Sequence, residues 1–303
     1  MKFSRHTNTG SSSPPSEEAG GGSYKYIEVK IEKSVARISL NRPERHNALI
    51  LEMIAELDQA LDEVSGRNDL LFLVLSGNGR SFCAGADLNW FYGSDENNQE
   101  ENAARYKHLA DLLLKLYQLP LVTIACARGN VFGGGIGLMA ACDFVLAEAN
   151  TRFMFSEVKL GLLPATILPF VAKRLSVQNL RKWILTGSLF NAPEAHQAGL
   201  VDILYDEEQL EKTLSEFMNS FDLAAPSAVK RAKNMINQVT SGTINVNDTA
   251  LTAVILAEAL SSPDGQEGIQ AFLEKRKPNY SLIPNLSPKE NGVRDTDSGN
   301  LKI

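Results

Sequence analysis

The stretch Leu121–Leu138, LVTIACARGNVFGGGIGL, contains the pattern that decides the fold of this chain. Its first part, Leu121–Ala127, is a short and continuous apolar run, which is typical of a strand covered on both faces. A glycine-rich turn follows, and a short helical stretch over Ile136–Cys142 completes the unit. A buried strand, a turn and a helix in this order are the building block of an α/β fold.

The segments on either side continue the alternation of strands and helices. Apolar residues recur at helical spacing in some of them, while others are short alternating or continuous apolar runs. The predicted elements, in chain order, are a hairpin (26–31 and 35–40), a helix (49–64), a strand (70–76), a helix (102–117), and strands at 143–147, 152–155 and 201–205. From Pro164 onward helical patterns dominate, so we expect an α/β core followed by a helical C-terminal part.

The composition limits the possible functions. The 303 residues are 44% hydrophobic and carry a formal net charge of −6, which argues against a general affinity for nucleic acids. Three cysteines without paired spacing predict free thiols in a reducing compartment. No apolar run reaches the roughly 18–20 residues that span a bilayer, and the N-terminus has no apolar stretch of a secretory signal. We therefore expect a cytoplasmic protein that does not bind membranes.

Two small-residue turns are the first candidates for chemistry. Ser81–Leu88 and Gly129–Leu138 both follow buried strands and open towards helices, so each exposes backbone N–H groups. Each turn alone could be a plain helix start. The second turn is not a Rossmann fingerprint, because Leu138 or Ala140 stands where the last glycine is needed, and no Gly-Lys-Ser/Thr of a P-loop follows. Two similar turns after adjacent strands predict a paired amide site.

Several motifs in series resemble the enoyl-CoA hydratase (crotonase) family. They are Asn41–Leu49 (NRPERHNAL), Phe82–Leu88 (FCAGADL), Gly133–Asp143 (GGGIGLMAACD), Phe155–Pro164 (FSEVKLGLLP) and Ala271–Lys277 (AFLEKRK). The likeness covers roughly residues 24–280 and is greatest to bacterial methylglutaconyl-CoA hydratase-type members. It implies an α/β crotonase (ClpP-like) spiral of ββα units with a helical C-terminal region. It also implies a core over 24–220 and a helical trimerisation region over 221–280, between disordered tails at 1–23 and 281–303.

The resemblance also assigns roles to individual residues. The backbone N–H groups of Ala86 and Gly134 match the family's oxyanion hole, which stabilises the enolate of an acyl-CoA thioester. Glu157 matches the glutamate that moves protons at the substrate carbons. Positions that match the lining of the CoA and acyl site are Arg45, Ala84, Asp87, Leu88, Gly133, Gly137, Phe272 and Lys275. The last two match a pair that contacts adenine and phosphate, often from a neighbouring subunit.

Gly137 departs from the fullest hydratase motif, in which a second glutamate stands at this position. Two activities remain open: hydration of a 2-enoyl-CoA, possibly methylglutaconyl-CoA-like, with Glu157 as the one acid/base, or 3,2-enoyl-CoA isomerisation by Glu157 alone. The dienoyl-CoA isomerase variant is disfavoured, because Ala165 stands in place of its extra aspartate. The stretch Ala165–Pro169 (ATILP) also departs from the commoner glycine-rich pattern, so the acyl group stays open.

The remaining expectations concern partners and cofactors. The resemblance implies an acyl-CoA substrate, a homotrimer or dimer of trimers, and no cofactor beyond the CoA of the substrate. Histidines scattered without ligand spacing predict no metal site, and the acidic helix over 51–67 argues against the RNA binding of some crotonase-fold proteins. Cys83 is expected to pack rather than react. Residues 90–92 and the acidic stretch 94–101 predict a mobile lid over the acyl pocket or an amphipathic surface loop.

Overall fold

A computed structural model describes residues 24–89 and 98–280 of the chain. The two tails predicted at 1–23 and 281–303 and most of the lid segment lie outside the described residues. The chain begins with the predicted hairpin, β1 (Ile27–Glu32) and β2 (Val35–Leu40), whose register pairs Glu32 with Val35. Lys33, in the connecting turn, has a positive φ of 54°, as hairpin turns require.

The main sheet has six strands in the order β1-β2-β3-β4-β6-β9. Its further strands are β3 (Phe72–Gly77), β4 (Val122–Ala127), β6 (Phe144–Glu148) and β9 (Ile203–Tyr205). All pairs except β1-β2 are parallel. Every residue of β4 is buried, because helices cover a parallel sheet on both faces. The two small-residue turns, Ser81–Leu88 and Gly129–Leu138, follow strands β3 and β4 of this sheet.

A second sheet is built from the segments that follow the strands of the main sheet. It contains β5 (Asn130–Phe132), β7 (Arg152–Met154) and β8 (Phe190–Asn191) in that order. Two isolated parallel bridges, Leu49 with Ala86 and Cys83 with Val131, extend the same ladder. Each of the main-sheet strands β2, β3, β4 and β6 is therefore followed by a short segment of this ladder. After the segments that follow β2, β3 and β4, the chain turns helical.

This arrangement is the predicted spiral of ββα units. The sequence shows no internal repeat, because what the units share is hydrogen-bond geometry and not side-chain identity. The units stack so that consecutive turns of the spiral place their short ladder segments side by side. Turns that lie far apart in the sequence, around residues 85 and 133, therefore become neighbours.

The helices pack around these sheets and form the C-terminal part. Their bounds are α1 (Leu51–Ser65), α2 (Gln99–Gln118), α3 (Gly134–Ala140), α4 (Leu168–Val171), α5 (Val177–Thr186), α6 (Ala192–Gln197), α7 (Leu210–Asn219), α8 (Pro226–Thr240), α9 (Thr249–Ser261) and α10 (Pro263–Leu273). The α1 helix buries the predicted apolar face, including Met53, Leu57, Leu61 and Val64. The α3 helix begins two residues earlier than predicted, because it starts within the glycines.

The C-terminal helices differ from the core in how they are covered. Although α9 is rich in Ala, Leu, Val and Ile, none of its residues is buried in the single chain. Lys233 of α8 anchors this region to the sheet: its Nζ donates to the carbonyl of Leu121 at 2.7 Å and lies 2.7 Å from Asp143 Oδ2. Within the described ranges, no helix combines the length and apolar character needed to cross a bilayer.

Candidate active site

The turn around Ala86 presents a backbone amide that the fold leaves unbonded. The amide of Leu49 donates to Gly85 O at 2.8 Å, and the amide of Asp87 donates to Leu49 O at 2.9 Å. In a parallel ladder, a residue flanked by two bonded neighbours points its own N–H to the opposite side. The N–H of Ala86 therefore points away from Leu49, and it has no acceptor among the described residues.

The glycine turn supplies a second amide beside the first. Gly134 is the first residue of α3, and its N–H, like others in the first turn of a helix, has no acceptor in the described part of the chain. A β-carbon at position 134 would lie only 4.0 Å from the amide nitrogen of Ala86. The structure thus brings together two positions that are 48 residues apart in the sequence.

Gly133 needs to be glycine for two reasons. Its φ of 44° with ψ of −116° is a conformation that residues with a β-carbon rarely adopt. A β-carbon here would also lie 2.9 Å from Glu157 Oε1. The amide of Gly133 donates to Met154 O at 3.0 Å, which ties the turn to β7. The turn is therefore held in a fixed conformation between the Ala86 amide and the Glu157 carboxylate.

Glu157 is a half-buried residue at the start of the 3₁₀ helix Glu157–Leu160, with two residues between it and the end of β7. Its Oε2 is buried and has no hydrogen-bond partner among the described residues. Burial raises the pKa of the Glu157 carboxyl above its ordinary value, and the bond with its own backbone amide offsets only part of the rise. A buried carboxylate oxygen without a partner is uncommon, and it is the kind of group that a substrate proton can satisfy.

Arg42 is a site residue that the sequence reasoning did not single out. Its Nη1 lies 2.7 Å from Asp87 Oδ2 and also donates to Ala48 O at 3.1 Å. Burial tends to raise the pKa of Asp87, but the bonds from Arg42 and the Asn89 amide hold that pKa below its ordinary value. The pair fixes the turn that carries Ala86. The only available signal was the position of Arg42 in the NRPERHNAL motif.

The other predicted site residues lie either near the Ala86 turn or at the end of α10. Ala84 is half-buried and its amide donates to His46 O at 2.9 Å, while Leu88 is exposed beside the turn. Arg45 is exposed and close enough for its charge to lower the pKa of Asp87. Phe272 and Lys275 are exposed at the end of α10, which packs on α8 and α9. In the single chain they belong to the C-terminal helices and not to the turns around Gly134.

Gly137 lies on the same face of α3 as Gly134, three residues further on. A β-carbon at position 137 would lie 2.3 Å from Ile167 Cγ2 and 3.4 Å from Leu113 Cδ1. Ile167 is fully buried and belongs to the unusual ATILP stretch. The departure at position 137 and the departure in this stretch are therefore one structural feature, because the isoleucine occupies the space that a side chain from position 137 would need.

The described residues provide neither a reactive thiol nor a cluster of metal ligands as an alternative to this site. Cys83 is completely buried, and burial raises the pKa of its thiol to about 12, so it stays protonated at neutral pH. Among the residues that the structure describes, no group of three or more His, Cys, Asp or Glu side chains could hold a metal ion. The remaining chemistry consists of two fixed N–H donors and one carboxylate with an elevated pKa. Such a set can stabilise an oxyanion and move a proton next to it.

Comparison with known proteins identifies the family of the chain. Residues 30–282 match the enoyl-CoA hydratase/isomerase family. The chain is 32% identical to a putative enoyl-CoA hydratase of Thermus thermophilus, over 83% of the chain and 100% of that protein. It is 31% identical to 1,2-epoxyphenylacetyl-CoA isomerase of Escherichia coli, over 84% of the chain and 98% of that protein.

A solved enoyl-CoA hydratase from Shewanella pealeana superposes with a TM-score of 0.80 at 32% identity, covering 85% of this chain and 97% of that one. The predicted family and fold class are thus confirmed. The chain is an enzyme of the enoyl-CoA hydratase/isomerase (crotonase) family.

Proposed function

We propose that this enzyme is an enoyl-CoA hydratase that adds water across the double bond of a 2-enoyl-CoA through an enolate. One observation carries the proposal: the amides of Ala86 and Gly134 and the Oε2 of Glu157 have no hydrogen-bond partner among the described residues, and the turn at Gly133 and Gly134 joins the carboxylate to both amides. The thioester oxygen accepts from the two amides, and the carboxylate faces the carbons next to the thioester. Backbone donors suit this purpose because they are already oriented and do not reorganise as charge develops.

In the proposed reaction Glu157 serves first as a base and then as an acid. It removes a proton from water while the water oxygen bonds to C3, and the π electrons of the C2–C3 bond move onto the thioester oxygen as an enolate. The protonated Glu157 then delivers its proton to C2, and the thioester carbonyl re-forms. The net change is H on C2 and OH on C3. The raised pKa of Glu157 suits the first step, because burial makes the carboxylate a stronger base than an ordinary glutamate, and the proton that it gains is the one delivered to C2.

A second candidate is 3,2-enoyl-CoA isomerisation, and the packing of Ile167 favours it. Here Glu157 takes a proton from C2 of a 3-enoyl-CoA, the electrons spread over a dienolate held by the same amides, and the proton returns at C4. No water enters this reaction. The apolar side chain beside Gly137 offers no group to hold a water molecule, so the loss of the second carboxylate is harmless to an isomerase.

The assignments for CoA complete the proposal. Arg45 would attract the CoA phosphates, while the backbone at Ala84 and Leu88 would line the pantetheine arm. Phe272 and Lys275 would reach adenine and phosphate from a neighbouring subunit of a homotrimer or dimer of trimers. Two features support this assembly: Phe272 is 66% exposed, and the apolar α9 has no buried residue in the single chain. Beyond the CoA of the substrate, the proposal requires no cofactor.

Product analysis tests the proposal. The enzyme is incubated with 2-enoyl-CoA and 3-enoyl-CoA thioesters of short, branched and long chain, methylglutaconyl-CoA among them, in H₂¹⁸O. A hydratase forms ¹⁸O-labelled 3-hydroxyacyl-CoA, whereas an isomerase only moves the double bond. Formation of unlabelled 2-enoyl-CoA from the 3-enoyl substrate, with no hydroxyacyl product from any 2-enoyl substrate, would replace the first activity by the second. Turnover of neither class would remove both.

A further inference from the structure

The face of α3 that carries Gly134 and Gly137 is covered by an apolar wall. A β-carbon at position 134 would lie 3.1 Å from Leu49 Cδ1 and 3.8 Å from Leu109 Cδ2. Beside Gly137 the neighbours are Leu113 and Ile167. Leu109 and Leu113 are one helical turn apart on α2, so their side chains form a continuous strip along α3.

This wall and Glu157 contact different residues of the glycine turn and α3. The carboxylate of Glu157 lies beside Gly133, which precedes α3, while Ile167 lies beside Gly137, one turn into the helix. A side chain that carried a carboxylate at position 137 would therefore begin in the volume that Ile167 now fills. The first contact that such a side chain would meet is 2.3 Å from its β-carbon, well inside van der Waals distance.

We propose that Ile167 is a specificity-determining residue, which keeps the volume beside Gly137 dry and leaves Glu157 as the one group that moves protons. The assignment rests on the proposed function, and it explains why two departures from the family motif occur together in this chain. Position 137 and position 167 compete for one volume, so a carboxylate at the first requires a small residue at the second. In the proposed hydration, the attacking water must therefore be held and deprotonated by Glu157 without a second carboxylate from position 137.

Four proteins test the assignment: the wild type, Gly137→Glu, Ile167→Gly and the double variant. Ile167→Ala, alone and with Gly137→Glu, provides a second background in case the glycine loosens α4; its remaining Cβ would lie 2.9 Å from a β-carbon at 137, so only partial relief is expected there. Gly66→Glu is the matched control, because it adds the same side chain at the end of α1, where no atom lies within 4 Å. Thermal unfolding and the ratio of hydration to isomerisation rates are measured for each protein.

The expected result is a strong coupling between the two positions. Gly137→Glu alone lowers Tm by on the order of 5 °C or more relative to Gly66→Glu, because the core is overpacked. In the Ile167→Gly background the same substitution lowers Tm much less. The double variant raises the hydration-to-isomerisation ratio about tenfold or more over Ile167→Gly, since a second carboxylate then holds water. Its pH profile gains a second ionisation.

Two results would overturn the assignment. One is an equal loss of Tm from Gly137→Glu in both backgrounds, which would mean that the positions do not share a volume. The other is a hydration-to-isomerisation ratio that stays the same in Ile167→Gly and the double variant, which would reduce Ile167 to a packing residue. Failure of the proposed function looks different: the wild type then converts no enoyl-CoA, while the coupling in Tm still decides whether Ile167 excludes a side chain at 137.

Discussion

Replacement of Glu157 by glutamine removes the carboxylate that moves protons in the proposed reaction, with almost no change in shape. Glutamine keeps an oxygen and a similar volume, so the turn around Gly133 stays intact. It cannot accept a proton from water or carbon at neutral pH. Because Ile167 fills the space beside Gly137, no second carboxylate substitutes for the lost base.

The expected loss follows from this lack of a substitute. A positioned acid/base typically contributes about 10²–10⁴ in rate, which corresponds to roughly 2.7–5.4 kcal/mol of transition-state stabilisation. Glu157 serves in both proton transfers of the proposed reaction, so we expect a loss towards the upper end of this range. KM should change little, because the amides of Ala86 and Gly134 still bind the thioester oxygen.

The pH dependence gives an independent check. Burial raises the pKa of Glu157, so the active, ionised form accumulates only above this raised value, and wild-type kcat/KM should increase with pH through it. The stability effect has the opposite sign. A carboxyl whose pKa is raised by folding stabilises the fold at a pH below its unfolded pKa, and this contribution is lost as the pH rises through the folded pKa. Glu157→Gln should therefore be at least as stable as the wild type at pH 7, with no such advantage at pH 4.

The assay is the initial rate on the best enoyl-CoA substrate from pH 4 to 9, with urea unfolding of both proteins at each end of the range. Glu216→Gln, the same chemical change on the exposed surface of α7, is the control and should keep the wild-type rate. A Glu157→Gln enzyme that retains activity within threefold, or keeps the acid limb of the profile, would refute the reasoning.

Three further predictions concern Gly133, the Arg42–Asp87 pair and the buried cysteines. Gly133→Ala should lower kcat by on the order of 100-fold and reduce stability by about 1–3 kcal/mol, because a β-carbon strains the positive φ and meets Glu157 Oε1; kinetics and urea unfolding measure the two effects. Arg42→Met should destabilise the fold by about 3 kcal/mol at pH 7, since it leaves the Asp87 charge without its partner. The lowered pKa of Asp87 adds stability above its unfolded pKa that is lost as the pH falls through the folded value, so the difference should shrink at pH 3. Cys83 and the other two buried cysteines should not react with Ellman's reagent at pH 8 in the native enzyme, and all three should react in urea; fast labelling of a native thiol would contradict the burial.

Much of the architecture could be predicted from the sequence. A short, continuous apolar run such as Leu121–Ala127 favours a strand buried on both faces, and the helical spacing of Met53, Leu57 and Leu61 marks the buried side of α1. Boundaries were less accurate. The α3 helix begins at Gly134 rather than Ile136, because glycine carries no apolar side chain to contribute to a periodic pattern.

The resemblance to the family proposed the candidate site residues, and the glycine-rich turns predicted exposed amides. Their arrangement was not. The unbonded direction of the Ala86 amide depends on which neighbours bond to Leu49, and the unpartnered oxygen of Glu157 depends on everything packed around it. Arg42 is identified as a site residue only by its contact with Asp87, which lies 45 residues further along the chain.

Gly137 shows most plainly what the sequence predicts and what only tertiary packing decides. From the sequence alone it was a missing carboxylate, and the unusual ATILP stretch 28 residues later was a separate departure. Only the packing of α3 against Ile167 joins the two, because volume exclusion acts between atoms that meet in space, whatever their distance along the chain. Local pattern thus determined the elements and the chemical groups of this protein, and tertiary packing decided which groups face each other and which space is left for water.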